Sequence, residues 1–140
     1  MRLFVDANIL IAVLNHEYPL FDTAAKVLSL SDRKEVDVFT SPVCISIAFY
    51  FSAKKSGEEV AKSKIALMLK HIGLTTVDSQ STLKAVADKR VHDLEDGIQY
   101  YSAVYEKCDY LITENTADFY FSDMPIMTSS SFLKEVFKAH

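Results

Sequence analysis

The sequence predicts a three-layer α/β/α fold around a mainly parallel central sheet of about five strands. Short apolar runs with β-branched and aromatic residues alternate with segments whose apolar residues recur at helical spacing. The composition, 49% hydrophobic and 24% charged, is that of a globular protein. The chain of 140 residues contains no internal repeat and no low-complexity stretch. We therefore expect residues 1–140 to form a single domain.

Five segments have the composition of short, buried strands. Each is a brief apolar run that ends at polar or turn-forming residues, which is typical of strands in a parallel sheet. In chain order they are RLFVD (2–6), VDVFT (36–40), GLTTVD (73–78), DYLIT (109–113) and PIMT (125–128).

The first strand is followed by two predicted helices, residues 7–15 and 19–30. Pro19 begins the second of them, and proline is favoured in the first turn of a helix. Both segments place apolar residues on one face, as expected for helices that cover a sheet. These residues are Ile9, Leu10, Val13 and Leu14 in the first helix and Leu20, Ala24, Val27 and Leu28 in the second.

The second strand is followed by a helix over residues 41–55, which Ser41 caps and Gly57 ends. The next helix, within 57–72, has an apolar face at helical spacing. That face consists of Ala61, Ile65, Met68 and Ile72.

Three further helices complete the prediction: residues 79–90, a segment that starts at Leu94, and 129–139. We expect the apolar residues of the first two to point into the core. They are Leu83, Val86 and Ala87 in the first and Leu94, Ile98, Tyr101 and Tyr105 in the second.

The net charge of −4 and the pI of about 5.5 argue against a protein that binds duplex DNA through a basic surface. Cys44 and Cys108 lie in or beside apolar runs, and we interpret them as buried thiols in a reducing compartment. No apolar run reaches the length of a membrane span, and the N-terminal run has no small-residue cleavage site. These features predict a cytoplasmic protein that does not enter a membrane.

Acidic residues are placed where a parallel sheet binds its ligands, outside the carboxyl ends of the strands. Asp6 ends the first strand, Asp96 begins the helix before the fourth strand, and Asp118 follows that strand. Each position also suits a helix cap or an ordinary loop. Together, however, the acids would repel one another unless a cation neutralised them. Ligands that are all oxygens suit Mg²⁺ or Mn²⁺, and such a site activates water and binds a phosphodiester.

At these motifs the sequence resembles the PIN domain family, the small metal-dependent ribonuclease fold of VapC-like toxins. The resemblance extends along nearly the whole chain, and its motifs occur in the family's order. The matching stretches are Asp6-x-Asn8, TSP (40–42), DLEDGIQYYSA (93–103), CDYLITENTADF (108–119) and MPIMTSSSFLKEV (124–136).

The resemblance implies an endoribonuclease, the toxin of a toxin–antitoxin pair, whose partners are RNA and an antitoxin protein. In this interpretation Asp6 and Asp96 hold Mg²⁺ or Mn²⁺ and Asp118 assists them. The residues that would orient these ligands are Asn8, Thr113 and Asn115. The aromatic residues 119–121 are candidates for a homodimer or partner contact.

One acid of the family pattern is missing. The family usually has a glutamate in the helix after TSP, and that position falls here on Ser46 or Ile47. A further family acid is replaced by Asn115, so Asp118 is the nearest substitute. Asp93 and Glu95 are alternative ligands, although both also suit the first turn of a helix. The incomplete acid set leaves a second hypothesis, a catalytically degenerate PIN domain that binds RNA or a protein.

Overall fold

The computed structural model describes residues 1–138. Ala139, in the predicted closing helix, and His140, the last residue of the predicted domain, lie outside the described residues.

Within these residues the chain forms a five-stranded sheet in the order β3-β2-β1-β4-β5, and all four neighbouring pairs are parallel. The predicted α/β/α fold with a parallel sheet is therefore confirmed. The edge strand β3 is shorter than predicted because only its first two residues pair with β2. The strands are β1 (Arg2–Val5), β2 (Asp37–Thr40), β3 (Gly73–Leu74), β4 (Tyr110–Ile112) and β5 (Ile126–Met127).

Seven α-helices lie in the described part of the chain, and most begin and end within a few residues of their predicted bounds. They are α1 (Ala7–Leu14), α2 (Leu20–Ser29), α3 (Pro42–Ser56), α4 (Glu58–Met68), α5 (Ser79–Ala87), α6 (Leu94–Tyr105) and α7 (Ser129–Glu135). Ser41 caps α3 by accepting a hydrogen bond from the backbone N–H of Cys44. Gly57 separates α3 from α4 with φ at +89°, a conformation that favours glycine.

The core surrounds β1, whose Leu3, Phe4 and Val5 are completely buried. The chain moves outward from β1 to β3 on one side and then crosses to β4 and β5 on the other. This reversal lies between β1 and β4, so the carboxyl ends of those two strands border the crevice where parallel sheets bind ligands. None of the helices in residues 1–138 is both long enough and apolar enough to cross a bilayer.

The predicted inward face of α5 is wrong. Leu83 and Val86 are 68% and 63% exposed and Ala87 is also exposed, whereas Ser81 and Ala85 are buried. Small side chains allow α5 and α6 to approach closely, so the contact is made by these residues and not by the larger apolar ones.

Gly97 of α6 lies at this close contact. A Cβ atom at its position would lie 2.5 Å from a methyl carbon of Val91 and 3.3 Å from the Cβ of Ala85. The predicted face of α6 is also wrong at its two ends, where Leu94 and Tyr105 are exposed, while Tyr101 is buried. Because α5 and the central sheet cover the helix on different sides, a single apolar stripe does not describe its burial.

Candidate active site at the carboxyl end of the sheet

Asp6 and Thr113 lie side by side at the carboxyl ends of β1 and β4, the two strands between which the order of the sheet reverses. Asp6 directly follows β1, and Thr113 directly follows the neighbouring strand β4. The Thr113 hydroxyl donates a 2.9 Å hydrogen bond to Oδ2 of Asp6, and Thr113 is completely buried. The sheet register therefore brings together two residues that are far apart in the sequence.

Further hydrogen bonds fix this pair. Oδ1 of Asp6 accepts a 2.8 Å hydrogen bond from the backbone N–H of Ala7 and so caps α1. The Asn8 amide donates to the Thr113 hydroxyl at 3.0 Å, and the backbone N–H of Glu114 donates to Oδ1 of Asn8 at 3.2 Å. Asn8 thus orients Thr113, which in turn orients Asp6. The backbone N–H of Asn115 also donates to the Thr113 hydroxyl, at 3.1 Å.

Cys44 and Gln99 complete the buried surroundings of Asp6, and sequence reasoning did not identify either of them as part of the site. The Cys44 thiol lies 3.7 Å from Oδ1 of Asp6 and also donates to Oε1 of Gln99. That Gln99 oxygen accepts a 2.8 Å hydrogen bond from the Ser41 hydroxyl. Burial, and secondly the charge of Asp6, raise the pKa of Cys44 to about 12, so Cys44 is a neutral hydrogen-bond donor.

A signal for Gln99 was present in the sequence. It follows Asp96 by three residues, so the two side chains share a face of α6. Cys44 had no comparable signal, because its contact with Asp6 joins α3 to the end of β1.

Asp96 lies at the start of α6 and is half-buried. Burial, and then the charges of Asp93, Asp6, Asp118 and Glu95 in that order of importance, together raise its pKa from an ordinary value of 3.8 to about 7. Burial is also the main reason that the pKa of Asp6 is raised, and the charge of Asp118 adds to it. The structure therefore brings the predicted acids close enough to repel one another.

The acids do not form a complete metal cage. In residues 1–138 no three His, Cys, Asp or Glu side chains come together as a metal-binding group. Asp118 lies in the 3₁₀ turn Thr116–Phe119 and is exposed. The donor chemistry still fits a hard divalent cation, because the donors are carboxylate oxygens and their negative charge is not compensated at Asp6 or Asp96.

The alternative ligand Asp93 and the neighbouring Glu114 each make hydrogen bonds at the start of a helix. Oδ1 of Asp93 accepts a 3.2 Å hydrogen bond from the backbone N–H of Asp96 and caps α6. Glu95 is exposed in the first turn of the same helix. Glu114 accepts hydrogen bonds from the backbone N–H and the hydroxyl of Ser129, at 3.1 and 3.3 Å, and so holds the start of α7.

Ser46 and Ile47 occupy different sides of α3. At 3.6 residues per turn, Ile47 lies about 60° around the helix from Cys44, whereas Ser46 lies about 160° away. Since Cys44 contacts Asp6, only Ile47 shares the side that faces the site. The structure agrees with this assignment: Ser46 is exposed, while Ile47 is half-buried and packs against the core.

The aromatic residues 119–121 do not form one contact surface. Phe119 and Phe121 are 2% and 3% exposed and belong to the core, so they are not available for the predicted homodimer contact. Only Tyr120, which is 57% exposed, is accessible. Phe119 ends the 3₁₀ turn, and a hydrogen bond from the backbone N–H of Ser122 to the Phe119 carbonyl closes a further turn that contains Tyr120 and Phe121.

The raised pKa of Asp96 predicts that the metal-free protein loses stability as pH rises. An acid whose folded pKa lies above its unfolded pKa stabilises the fold most below the unfolded value, and this contribution is lost as pH passes the folded value. The decrease should therefore fall between about pH 4 and about pH 7. Urea denaturation in EDTA at about pH 5 and about pH 8 measures it. Asp96→Asn should reduce the pH dependence, and an unchanged pH dependence in that variant would contradict the assignment.

The comparisons with known proteins agree on the family. A family model described as "PIN domain" matches residues 2–117. The chain is 28% identical to Ribonuclease VapC1 of Aquifex aeolicus (strain VF5), in an alignment that covers 94% of this chain and 92% of the relative.

Several solved structures have similar folds. VapBC2 from Rickettsia felis, solved with a DNA fragment from its promoter, matches with a TM-score of 0.68 and 16% identity over 91% of this chain and 97% of that chain. VapBC-1 from nontypeable Haemophilus influenzae matches with a TM-score of 0.67 and 16% identity, over 93% of this chain and 99% of that chain. VapC20 from Mycobacterium tuberculosis is described as a toxin that cleaves the sarcin-ricin loop. It matches with a TM-score of 0.60 and 17% identity, over 78% of this chain and 86% of that chain. At these identities the likeness shows a shared fold.

Proposed function

The chain belongs to the PIN domain family, and we propose that it is an endoribonuclease dependent on Mg²⁺ or Mn²⁺ and the toxin of a toxin–antitoxin pair. The observation that carries this proposal is the pair of mutually repelling carboxylates, Asp6 and Asp96, at the carboxyl end of a parallel sheet. Such a concentration of negative charge lowers stability unless a cation is bound, so a structural role alone does not account for it.

Asp6 and Asp96 would hold the metal, and Asp118 would assist from the loop after β4. A bound divalent cation supplies the positive charge that an RNA phosphate needs to approach these acids, and it lowers the pKa of a coordinated water. The chain's own contribution is the arrangement of the acids. The hydrogen bond from Thr113 uses one lone pair of Oδ2 of Asp6, so this oxygen keeps another for a cation. Oδ1 accepts from Ala7 and also lies beside the Cys44 thiol.

Thr113 and Asn8 would act as positioning residues. The Thr113 hydroxyl donates its proton to Asp6, so the carboxylate keeps one orientation, and Asn8 holds the hydroxyl in place. Asn115 contributes a backbone N–H to the same hydroxyl. Hydrogen bonds of this kind around a metal ligand raise both affinity and activity.

We also propose an antitoxin protein as the partner and the cytoplasm as the location. The likeness to VapBC2 and VapBC-1 supports the partner, since both are named as VapBC proteins. The RNA substrate is supported by the name of the VapC1 relative, a ribonuclease, and by that of VapC20, a toxin that cleaves the sarcin-ricin loop. Two free thiols fit a reducing compartment. The homodimer remains a prediction.

A second candidate function is a degenerate PIN domain that binds RNA or protein without cleavage. Two observations favour it: α3 has no acid near Asp6, and the described residues contain no group of three metal-binding side chains. In this alternative the acids remain from an ancestral site and hold a cation weakly.

Cleavage of a labelled single-stranded RNA with Mn²⁺, and separately with EDTA, distinguishes the two functions. The ribonuclease proposal predicts cleavage with Mn²⁺ that EDTA abolishes. The degenerate alternative predicts that RNA stays intact under both conditions. Cleavage that continues in EDTA would contradict the metal-dependent mechanism and would indicate a contaminating nuclease or a different site.

A further inference from the structure

We infer that His92 and Tyr120 form a platform on which an unpaired base of a single-stranded RNA stacks, beside the acids of the candidate active site. The choice of RNA as the ligand rests on the proposed function. The platform itself rests on the geometry of two exposed rings.

The two rings lie on either side of the acidic residues in the sequence and come together in the fold. Tyr120 follows Asp118 by two residues, and His92 precedes Asp96 by four. The ring centroids of His92 and Tyr120 are 5.6 Å apart and the ring planes are inclined by 29°, so the rings are stacked. A strand of RNA that reached Asp96 and Asp118 would therefore pass close to this stack.

Tyr120 is exposed but held in a defined position. Its side chain is 57% exposed, and its hydroxyl donates a hydrogen bond to the backbone carbonyl of Arg90. The ring of the buried Phe121 packs against it in a T-shaped contact, with centroids 5.4 Å apart and planes at 89°. A large aromatic ring that is both exposed and fixed loses little conformational entropy when a ligand stacks on it.

The charges around the platform favour a base over a phosphate as the group it recognises. The backbone of Arg90 holds the Tyr120 hydroxyl, but the guanidinium of Arg90 lies 3.0 Å from Asp88 and 3.7 Å from Asp123. Its charge is therefore largely compensated and offers weak attraction to a phosphate. Stacking on an aromatic ring requires no positive charge, and it is the usual way in which single-stranded RNA binds proteins.

An unpaired base meets this requirement better than duplex RNA. In a helix the bases are stacked on one another, so their faces are not available to a side chain. A base in a loop or a single strand can extend the His92–Tyr120 stack while the adjoining phosphate reaches the acids. The His92–Tyr120 stack is therefore suited to an unpaired base and not to the stacked bases of a duplex.

Binding of a fluorescent single-stranded oligoribonucleotide, measured by anisotropy in EDTA, tests the platform without cleavage. Physiological salt is used because it screens the repulsion between the RNA and the acids. Tyr120→Ala should weaken binding about tenfold, since each stacked base contributes strongly to affinity. His92→Ala should weaken it to a smaller extent. Tyr120→Phe keeps the ring and should stay within about twofold of the wild type. A strand of the same length without bases should bind weakly and should not respond to Tyr120→Ala.

Tyr105→Ala is the matched control, because Tyr105 is 42% exposed at the opposite end of α6. Equal affinities for the Tyr120→Ala and Tyr105→Ala variants would overturn the inference, and so would tight binding of the baseless strand. Gel filtration of Tyr120→Ala tests whether Tyr120 instead makes a dimer contact. If a change in oligomeric state accounted for the lost RNA binding, the inference would also be overturned. If RNA is bound through Tyr120 but never cleaved, the platform is supported and the ribonuclease proposal fails.

Discussion

Asp96→Asn is expected to reduce Mn²⁺-dependent RNA cleavage by about a hundredfold or more, because losing a residue that only orients a metal ligand already costs about tenfold to a hundredfold. Asparagine keeps the shape of aspartate but removes the negative charge that attracts the cation. In the metal-free protein the same change should raise the melting temperature, since Asp96 is repelled by Asp93, Asp6 and Asp118. Cleavage rates and melting curves, each with and without Mn²⁺, measure both effects.

Asp37→Asn is a suitable control for Asp96→Asn. Asp37 begins β2 and so lies at the amino ends of the strands, whereas the site lies at their carboxyl ends. The Asp37 carboxylate lies 3.6 Å from the guanidinium of Arg2. An exposed ion pair of this kind contributes little to stability, so cleavage should be unchanged. If Asp96→Asn cleaved RNA as fast as the wild type, Asp96 would have only a structural role at the start of α6.

Ile47→Glu is expected to raise Mn²⁺ affinity and RNA cleavage by about tenfold, which is the scale on which ligand surroundings alter metal sites. The family resemblance places the missing glutamate in α3, and Ile47 lies on the side of that helix where Cys44 contacts Asp6. Side chains of a helix point toward its N-terminus, so a glutamate at this position would extend toward the level of Cys44. Calorimetry with Mn²⁺ and a cleavage assay measure the gain.

Ser46→Glu provides the control, because it adds the same charge one residue away on the exposed side of α3. It should leave both Mn²⁺ affinity and cleavage near the wild-type values.

If α3 does not border a metal site, Ile47→Glu should instead destabilise the fold. A carboxylate in a half-buried apolar environment destabilises the fold by about 1–3 kcal/mol or more when nothing pairs with it. A destabilised variant that Mn²⁺ did not rescue would favour the binding-module alternative.

The fold could be predicted from the sequence because its signals are local. Each strand is a short apolar run, and helix ends are marked by residues such as Ser41 and Gly57 that act within one turn. The placement of Asp6 followed from the same logic, since the carboxyl end of a parallel strand borders the ligand crevice. Errors arose where packing decided the outcome. Leu83 and Val86 have the right spacing for a core face, but the small side chains of α5 set which side meets α6.

The candidate site was predicted only in part, because several of its contacts join distant parts of the chain. Cys44 and Gln99 are separated by 55 positions, and their contact depends on how α3 and α6 meet above the sheet. The stacking of His92 on Tyr120 likewise joins two loops whose approach no periodic pattern indicates. In contrast, Asn8 and Thr113 were accessible to sequence reasoning, because Thr113 directly follows β4 and Asn8 lies in the first turn of the helix after β1.

The central claim is that Asp6 and Asp96 bind a divalent cation, and calorimetric titration of Mn²⁺ into the wild type and into Asp6→Asn tests it most directly. Asparagine caps a helix nearly as well as aspartate, so the variant should keep its fold while losing a charged ligand. We predict saturable Mn²⁺ binding to the wild type and loss of that binding in Asp6→Asn. Equal binding by both proteins, or no binding by the wild type, would contradict the metal site.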